Sequence, residues 1–365
     1  MISLSAFLIG ILGSFKLWIS DRLFPLTPVF NVLTKCSDLI NYLIFFVFAA
    51  CLIGLLIKFN RIVFLIFLIL LIFLIFQDQN RLQPWVYFYS LILFPFLIRQ
   101  NKIGRTILSV TRIVIIGLYF WSGVQKLNAY FLTEDFPQLL MDIFKSTDKE
   151  ILEIGKWTSF LVPVTEICIS VLLVFKNTRL IVFWLAFFVH ILIIIIFSPL
   201  VLAHNYIIIP WNIAIIALNY VVFYKNNEPI VENTHWAVSV IITVLVGVMP
   251  IFNLIGWVDD SVAFNLYSSK SKLFYVAISE KYWNKVNPEY NSFLLRLPEN
   301  MSGGHLIDVN KWSYTELNVP VNPEYRIFKN VSASFCKYNI PNSDLLFLMY
   351  RQPMKNENLT KWTCE

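Results

Sequence analysis

Nine apolar runs fill most of the first 255 residues and restrict what this chain can fold into. The strongest are Leu39–Ile57, Ile62–Phe76, Trp157–Phe175, Leu180–Phe197, Tyr206–Phe223 and Trp236–Leu254. Weaker ones are Ser3–Ile19, Pro84–Ile98 and Thr106–Gly123. A helix that crosses a bilayer needs about 20 apolar residues, with about 17–25 as the working range. Backbone groups in lipid have to bond within their own segment, so long runs of this kind are helices. None alternates in the manner of a barrel strand. The runs predict an all-α polytopic bundle of about nine transmembrane helices over residues 1–255.

Composition agrees. Hydrophobic residues make up 58% of the 365 and charged residues 14%, against about 45–50% and about 25% in soluble domains. One soluble domain of this size could not hide that much apolar surface, so a soluble globular enzyme and a disordered chain are excluded. Five cysteines are too few for a disulfide-dense mini-protein. The net charge is +6, but the basic residues do not gather in one domain. The expected partner is therefore the lipid bilayer and not nucleic acid.

Lys and Arg in short loops set orientation. Lys58 and Arg61, then Arg99, Lys102 and Arg105, then Lys176 and Arg179, then Lys225 mark one side as cytoplasmic. The acid-rich segment 125–156 belongs on the other. Nine spans with the N-terminus inside place the C-terminus outside, as expected for a multi-pass protein of the bacterial inner membrane. The first helix lacks a charged leader and a small-residue cleavage site, so it reads as an uncleaved anchor.

After Ile255 the chain turns polar. Residues 256–365 are expected to form an extracytoplasmic α+β domain, with strand-like runs at Leu273–Ile278, Phe293–Leu297 and Leu345–Tyr350. Asn322-Pro323-Glu324 reads as a helix start, followed by an apolar stripe of Tyr325, Phe328, Val331 and Phe335. Cys336 and Cys364 could close a disulfide in an oxidising exterior, or stand as two unrelated thiols. Asn-x-Ser/Thr triplets begin at Asn300, Asn330 and Asn358.

Ionisable residues inside a span cost roughly 2.5–3.5 kcal/mol each on insertion scales and call for a reason. Glu166 and His190 fall near mid-depth of adjacent antiparallel helices. They can bond to each other, either as a helix lock or as part of a functional site. Lys126 closes the fifth run behind Gly123, with Tyr119 and Trp121 on the preceding turn. A lysine there either snorkels to the headgroups or, held dry, serves as a base. Asp78, Arg81, Trp85 and His204 are assigned to the same outer mouth as Lys126, as lining for a ligand. No spacing favours a metal.

The run Tyr119-Phe-Trp-Ser-Gly-Val-Gln-Lys126-Leu127 resembles the signature of the HTTM domain, the membrane part of vitamin K-dependent gamma-carboxylases. In that family the lysine of the motif is a catalytic base, and it falls on Lys126. An acid, an Arg and a His in the family's order fall on Glu166, Arg179 and His190. The resemblance covers roughly residues 1–255, and bacterial DoxX-like membrane proteins share its general look. One departure is Trp85, which stands where the carboxylases carry a His; another is the short tail. The resemblance implies an outward-facing cavity for a quinone-like or other lipid-soluble ligand.

Two function classes follow. In the first, a carboxylase-like or quinone-linked enzyme, Lys126 deprotonates a hydroquinone or another acidic group, with Glu166 and His190 as orienting or relay residues. In the second, a non-catalytic membrane protein holds a redox or envelope partner, or presents its tail to an extracytoplasmic protein or peptide.

Overall fold

The computed structural model describes residues 1–98, 103–202, 206–231, 236–268, 272–295, 303–351 and 359–364. Its membrane part contains α1 (Ile2–Gly13), α2 (Asp38–Ile57), α3 (Arg61–Gln77), α4 (Pro84–Leu97), α5 (Ile103–Lys126), α6 (Phe136–Phe144), α7 (Lys149–Val174), α8 (Arg179–Phe197), α9 (Ile208–Lys225) and α10 (Trp236–Asn253). Among the described residues, six of these are long and apolar enough to cross a membrane: α2, α5, α7, α8, α9 and α10.

Of the nine expected spans, six stand as candidate spans, and the other three are shorter apolar helices, α1, α3 and α4. Helix α1 has 12 residues, about 18 Å at 1.5 Å per residue, against a hydrocarbon core of about 30 Å. The chain breaks at Ser14 and resumes as a single turn, Phe15–Trp18. Prolines frame α4: Pro84 opens it, and its last turn, Phe94–Leu97, tightens to 3-10 geometry at Pro95, since Pro lacks the N–H that a continued α-helix would use.

The described chain forms two compact units. The first consists of Met1–Gly13, Phe48–Ile69 and Leu82–Lys270. Helix α5 is its centre: 67% of its apolar window is buried, against 22–39% in the other five spans. Phe7, Trp85 and Tyr89 pack beside Phe88 and Trp211, with Phe7 and Trp85 edge-to-face at 5.6 Å. Residues 256–268 belong here too, past the expected boundary at 255. Asn253 Nδ2 donates to Val258 O at 2.7 Å and to Asp260 Oδ1 at 2.8 Å, and Asn265 bonds both Asn253 and Asp260.

The second unit consists of Ser14–Val47, Leu70–Arg81 and Ser271–Glu365. Strands β1 (Leu273–Ser279), β2 (Gly304–Asp308), β3 (Leu345–Tyr350) and β4 (Leu359–Trp362) form an antiparallel sheet in the order β2-β1-β3-β4. Val276 pairs with Ile307 on one side and Phe347 on the other. On that buried face Phe274 stacks on Phe328 of α12 (Tyr325–Cys336), while Trp312 of α11 (Val309–Leu317) meets Phe335 of α12 edge-on. Of the expected strand at Phe293–Leu297, the described residues 293–295 form one bridge, Leu294 with Ile307, and residues 296–297 lie outside the described residues. The helix expected from Asn322 begins at Tyr325, because Glu324 N–H bonds back to Asn322 O and the Glu324 side chain accepts from Lys272. Cys336 and Cys364 form a disulfide, with Cα atoms 5.7 Å apart.

Two early segments are built into this second unit. The Glu316 carboxylate accepts from the Leu23 and Phe24 N–H groups at 2.7 and 2.8 Å. Asn80 Oδ1 accepts from Asn322 N–H at 2.9 Å. Asn330, in one of the three sequons, is half-buried and donates its amide to Pro28 O at 3.2 Å; Asn300 and Asn358 lie outside the described residues.

Candidate functional site

The polar side chains of the first unit gather along one face of α5. Tyr119, Ser122 and Lys126 lie at steps of three and four residues, so they form a stripe on one side of the helix. Gly123 sits within that stripe and brings α7 against it. A Cβ at Gly123 would stand 2.8 Å from both Ile167 Cγ1 and Pro163 O, and 3.1 Å from Glu166 Cβ. That approach places Glu166 opposite Lys126. Lys126 Nζ donates to Glu166 Oε1 at 3.0 Å, to Oε2 at 2.9 Å and to Ser122 Oγ at 2.6 Å. Both side chains are nearly buried, at 12% and 13% exposure. An ammonium has three protons, and all three are engaged here.

About one turn deeper lies a second cluster. Tyr119 Oη and His190 Nε2 are 2.5 Å apart, and His190 Nδ1 and Asn212 Oδ1 are also 2.5 Å apart. The amide oxygen of Asn212 only accepts, because its Nδ2 donates to Ile208 O at 2.7 Å. His190 is therefore the Nδ1–H tautomer. Its Nε2 accepts from Tyr119, which in turn accepts from Asn219 Nδ2 at 3.0 Å. The expected Glu166–His190 hydrogen bond is not formed. Glu166 lies level with Gly123, near the end of α5, because α7 is interrupted at Ser159–Phe160 and resumes at Leu161, only five residues before Glu166. Lysine is then the nearer partner.

Trp121 donates its indole N–H to Gly247 O at 3.2 Å. Trp85 is buried in aromatic packing and lies against Gly10, where a Cβ would come within 2.8 Å of its ring. Both tryptophans are buried within the bundle. Arg179 is held by backbone carbonyls of Leu173 and Glu228 and by Asn227 Oδ1.

Asp78 and Arg81 belong to the second unit, and both are fully buried. Asp78 pairs with Arg22 and accepts from the Thr27 hydroxyl at 2.7 Å. Arg81 donates to the carbonyls of Leu17, Trp18 and Leu74 and to Gln77 Oε1. Burial works against the Asp78 charge, but Arg22, Arg81 and Thr27 outweigh it and hold the carboxyl below the ordinary aspartate value. Burial brings the Arg81 guanidinium down to about 9, which leaves it charged at neutral pH. These two residues organise a loop of the second unit. His204 lies outside the described residues.

Sequence reasoning missed Ser122, Asn212 and Asn219. Asn212 and Asn219 stand seven residues apart in an apolar span, on one helical face. Amides in lipid need partners, and that spacing was the available signal.

The fold and this polar seam define a multi-pass integral membrane protein with a small antiparallel-sheet unit. Residues 104–208 match the family model of methylamine utilisation protein MauE. The matched stretch runs from α5 to Ile208, the first residue of α9, and contains Tyr119, Lys126, Glu166 and His190. No curated protein and no solved structure matches the chain. This finding overturns the HTTM resemblance: the Tyr119–Leu127 run lies inside the MauE match, and HTTM is not matched. An aromatic turn followed by Gly and Lys is what any helix end needs for close packing and an interfacial anchor.

Proposed function

We propose that the protein is a non-catalytic scaffold of a bacterial inner membrane. Its bundle holds the disulfide-closed unit outside the cytoplasm and presents it to an envelope protein or peptide. The observation that carries this reading is the full engagement of Lys126 by Glu166 and Ser122. A base needs a lone pair directed at its substrate, and here Nζ is turned to the Glu166 carboxylate and the Ser122 hydroxyl. The MauE match over residues 104–208 supports a place in methylamine utilisation.

An inside N-terminus and an outside C-terminus are part of the proposal, with the three shorter apolar helices α1, α3 and α4 crossing as well as the six candidate spans. Segments 14–35 and 77–81 belong to the same compact unit as the tail, and loop charge assigns those segments to the outer side. A disulfide between Cys336 and Cys364 suits an oxidising compartment. The test is complementation of a gene deletion in the native host by Lys126→Arg. Arg keeps the pairing with Glu166 and cannot act as a base. Full complementation at wild-type expression is expected; loss of function with normal expression would overturn the scaffold reading.

A further inference from the structure

The geometry points to a phospholipid site on the first unit, in a groove of about 600 Å³ between α1, α8 and α9. The volume falls within the roughly 300–1,000 Å³ of ligand sites. Its walls are Ile2, Phe183, Trp184, Ala217, Tyr220 and Tyr224, with Phe187 and other apolar residues behind them. Trp184, Tyr220 and Tyr224 are exposed. They stand on candidate spans, so the medium that fills the groove is the hydrocarbon of the bilayer, and an acyl chain is its occupant.

The lining of the groove reaches the last turn of α9, where a headgroup would sit. The last turn of α9, Tyr220–Lys225, is a π-helix, a distortion frequent at functional sites. It stacks Tyr220 on Tyr224 with ring centroids 5.3 Å apart. Tyrosine at a span end sits at headgroup level with its hydroxyl toward water. Lys225 follows directly, is exposed, and makes no ion pair among the described residues. The nearby Lys176 is paired with Glu228 at 3.8 Å. An apolar trough lined by Tyr220 and Tyr224, with the exposed Lys225 next in the chain, fits a phospholipid of net negative charge, with its phosphate at Lys225.

The test uses the full chain purified in detergent and titrated with dioleoyl phosphatidylglycerol or dioleoyl phosphatidylcholine, read by native mass spectrometry. One phosphatidylglycerol per chain is expected at low lipid, bound about five-fold more tightly than phosphatidylcholine, the size of one lysine–headgroup attraction. Ala217→Trp fills the trough and should abolish that first binding event for both lipids. Lys225→Gln, on an exposed side chain, should leave binding and remove the preference. Unchanged first-site binding in Ala217→Trp would overturn the site. Equal affinity for the two lipids in the wild-type chain would overturn the headgroup assignment. Neither result bears on the scaffold reading, which is tested at Lys126.

Discussion

Gly123 and Glu166 meet across the α5–α7 seam so closely that a single added carbon at Gly123 would lie 3.1 Å from Glu166 Cβ. The missing side chain is what lets Lys126 reach the carboxylate three residues further along α5. Gly123→Ala should therefore cost stability through overpacking, about 1–3 kcal/mol. Gly104 lies on the same helix with nothing within 4 Å of its would-be Cβ, so Gly104→Ala should be neutral or stabilising by about 0.4–1 kcal/mol. Equilibrium unfolding of the purified protein in detergent distinguishes the two; equal effects would contradict the close approach.

The ion pair should respond unevenly to mutation. Lys126→Met or Glu166→Leu alone leaves a nearly buried partner unsatisfied, at about 1–3 kcal/mol, and the double replacement should cost less than the sum of the singles. A parallel cycle between Glu166 and His190 should be near additive, since the two do not bond. Strong coupling in the second cycle and none in the first would reverse the assignment of partners.

Acid should weaken the second unit through Asp78. Its folded value lies below the ordinary one of about 3.9, so the unfolded chain binds the proton first. The contribution is present above about pH 4 and is lost as pH falls through the lower folded value. Asp78→Asn should flatten that limb of a stability-versus-pH curve. A curve with the wild-type slope would show that other carboxylates carry it.

Reduction of the Cys336–Cys364 bridge frees a long loop of the unfolded tail. The chain-entropy model gives a loss of roughly 3–4 kcal/mol. Trypsin digestion with and without dithiothreitol should show faster cleavage within the tail after reduction, while α5 stays protected. Free-thiol labelling of both cysteines in the unreduced protein would contradict the bridge.

Much of the fold was legible because lipid leaves few choices: apolar runs over residues 39–57 and 180–197 became α2 and α8 within one residue. Span count was less legible. Whether Ser3–Ile19 crosses depends on a break at Ser14, and that break arises in tertiary packing. Strands β2 and β4 were missed because Gly304–Asp308 and Leu359–Trp362 are short and largely polar, and only their pairing with β1 and β3 makes them strands. At the site, Lys126, Glu166 and His190 were legible, and their partners Ser122, Asn212 and Asn219 were not. Hydropathy gives depth to within a turn or two, and that error separates a Glu166–His190 bond from a Glu166–Lys126 bond. The second unit's recruitment of Arg22, Asp78 and Asn80 rests on contacts hundreds of residues apart in the chain, such as Asn80 with Asn322, and no local pattern encodes them.

The central claim is that Lys126 and Glu166 lock two helices and carry no chemistry. Its most direct measurement is the activity of a chain in which Lys126→Met and Glu166→Leu are combined, expressed from the native locus with protein levels matched to wild type. If the pair is a lock, apolar side chains packed across the seam replace it, and the double variant restores the phenotype lost on deletion to within about two-fold of wild type, since the bundle retains its packing. A double variant that inserts and accumulates normally but restores nothing would contradict the account and return Lys126 to the reacting centre.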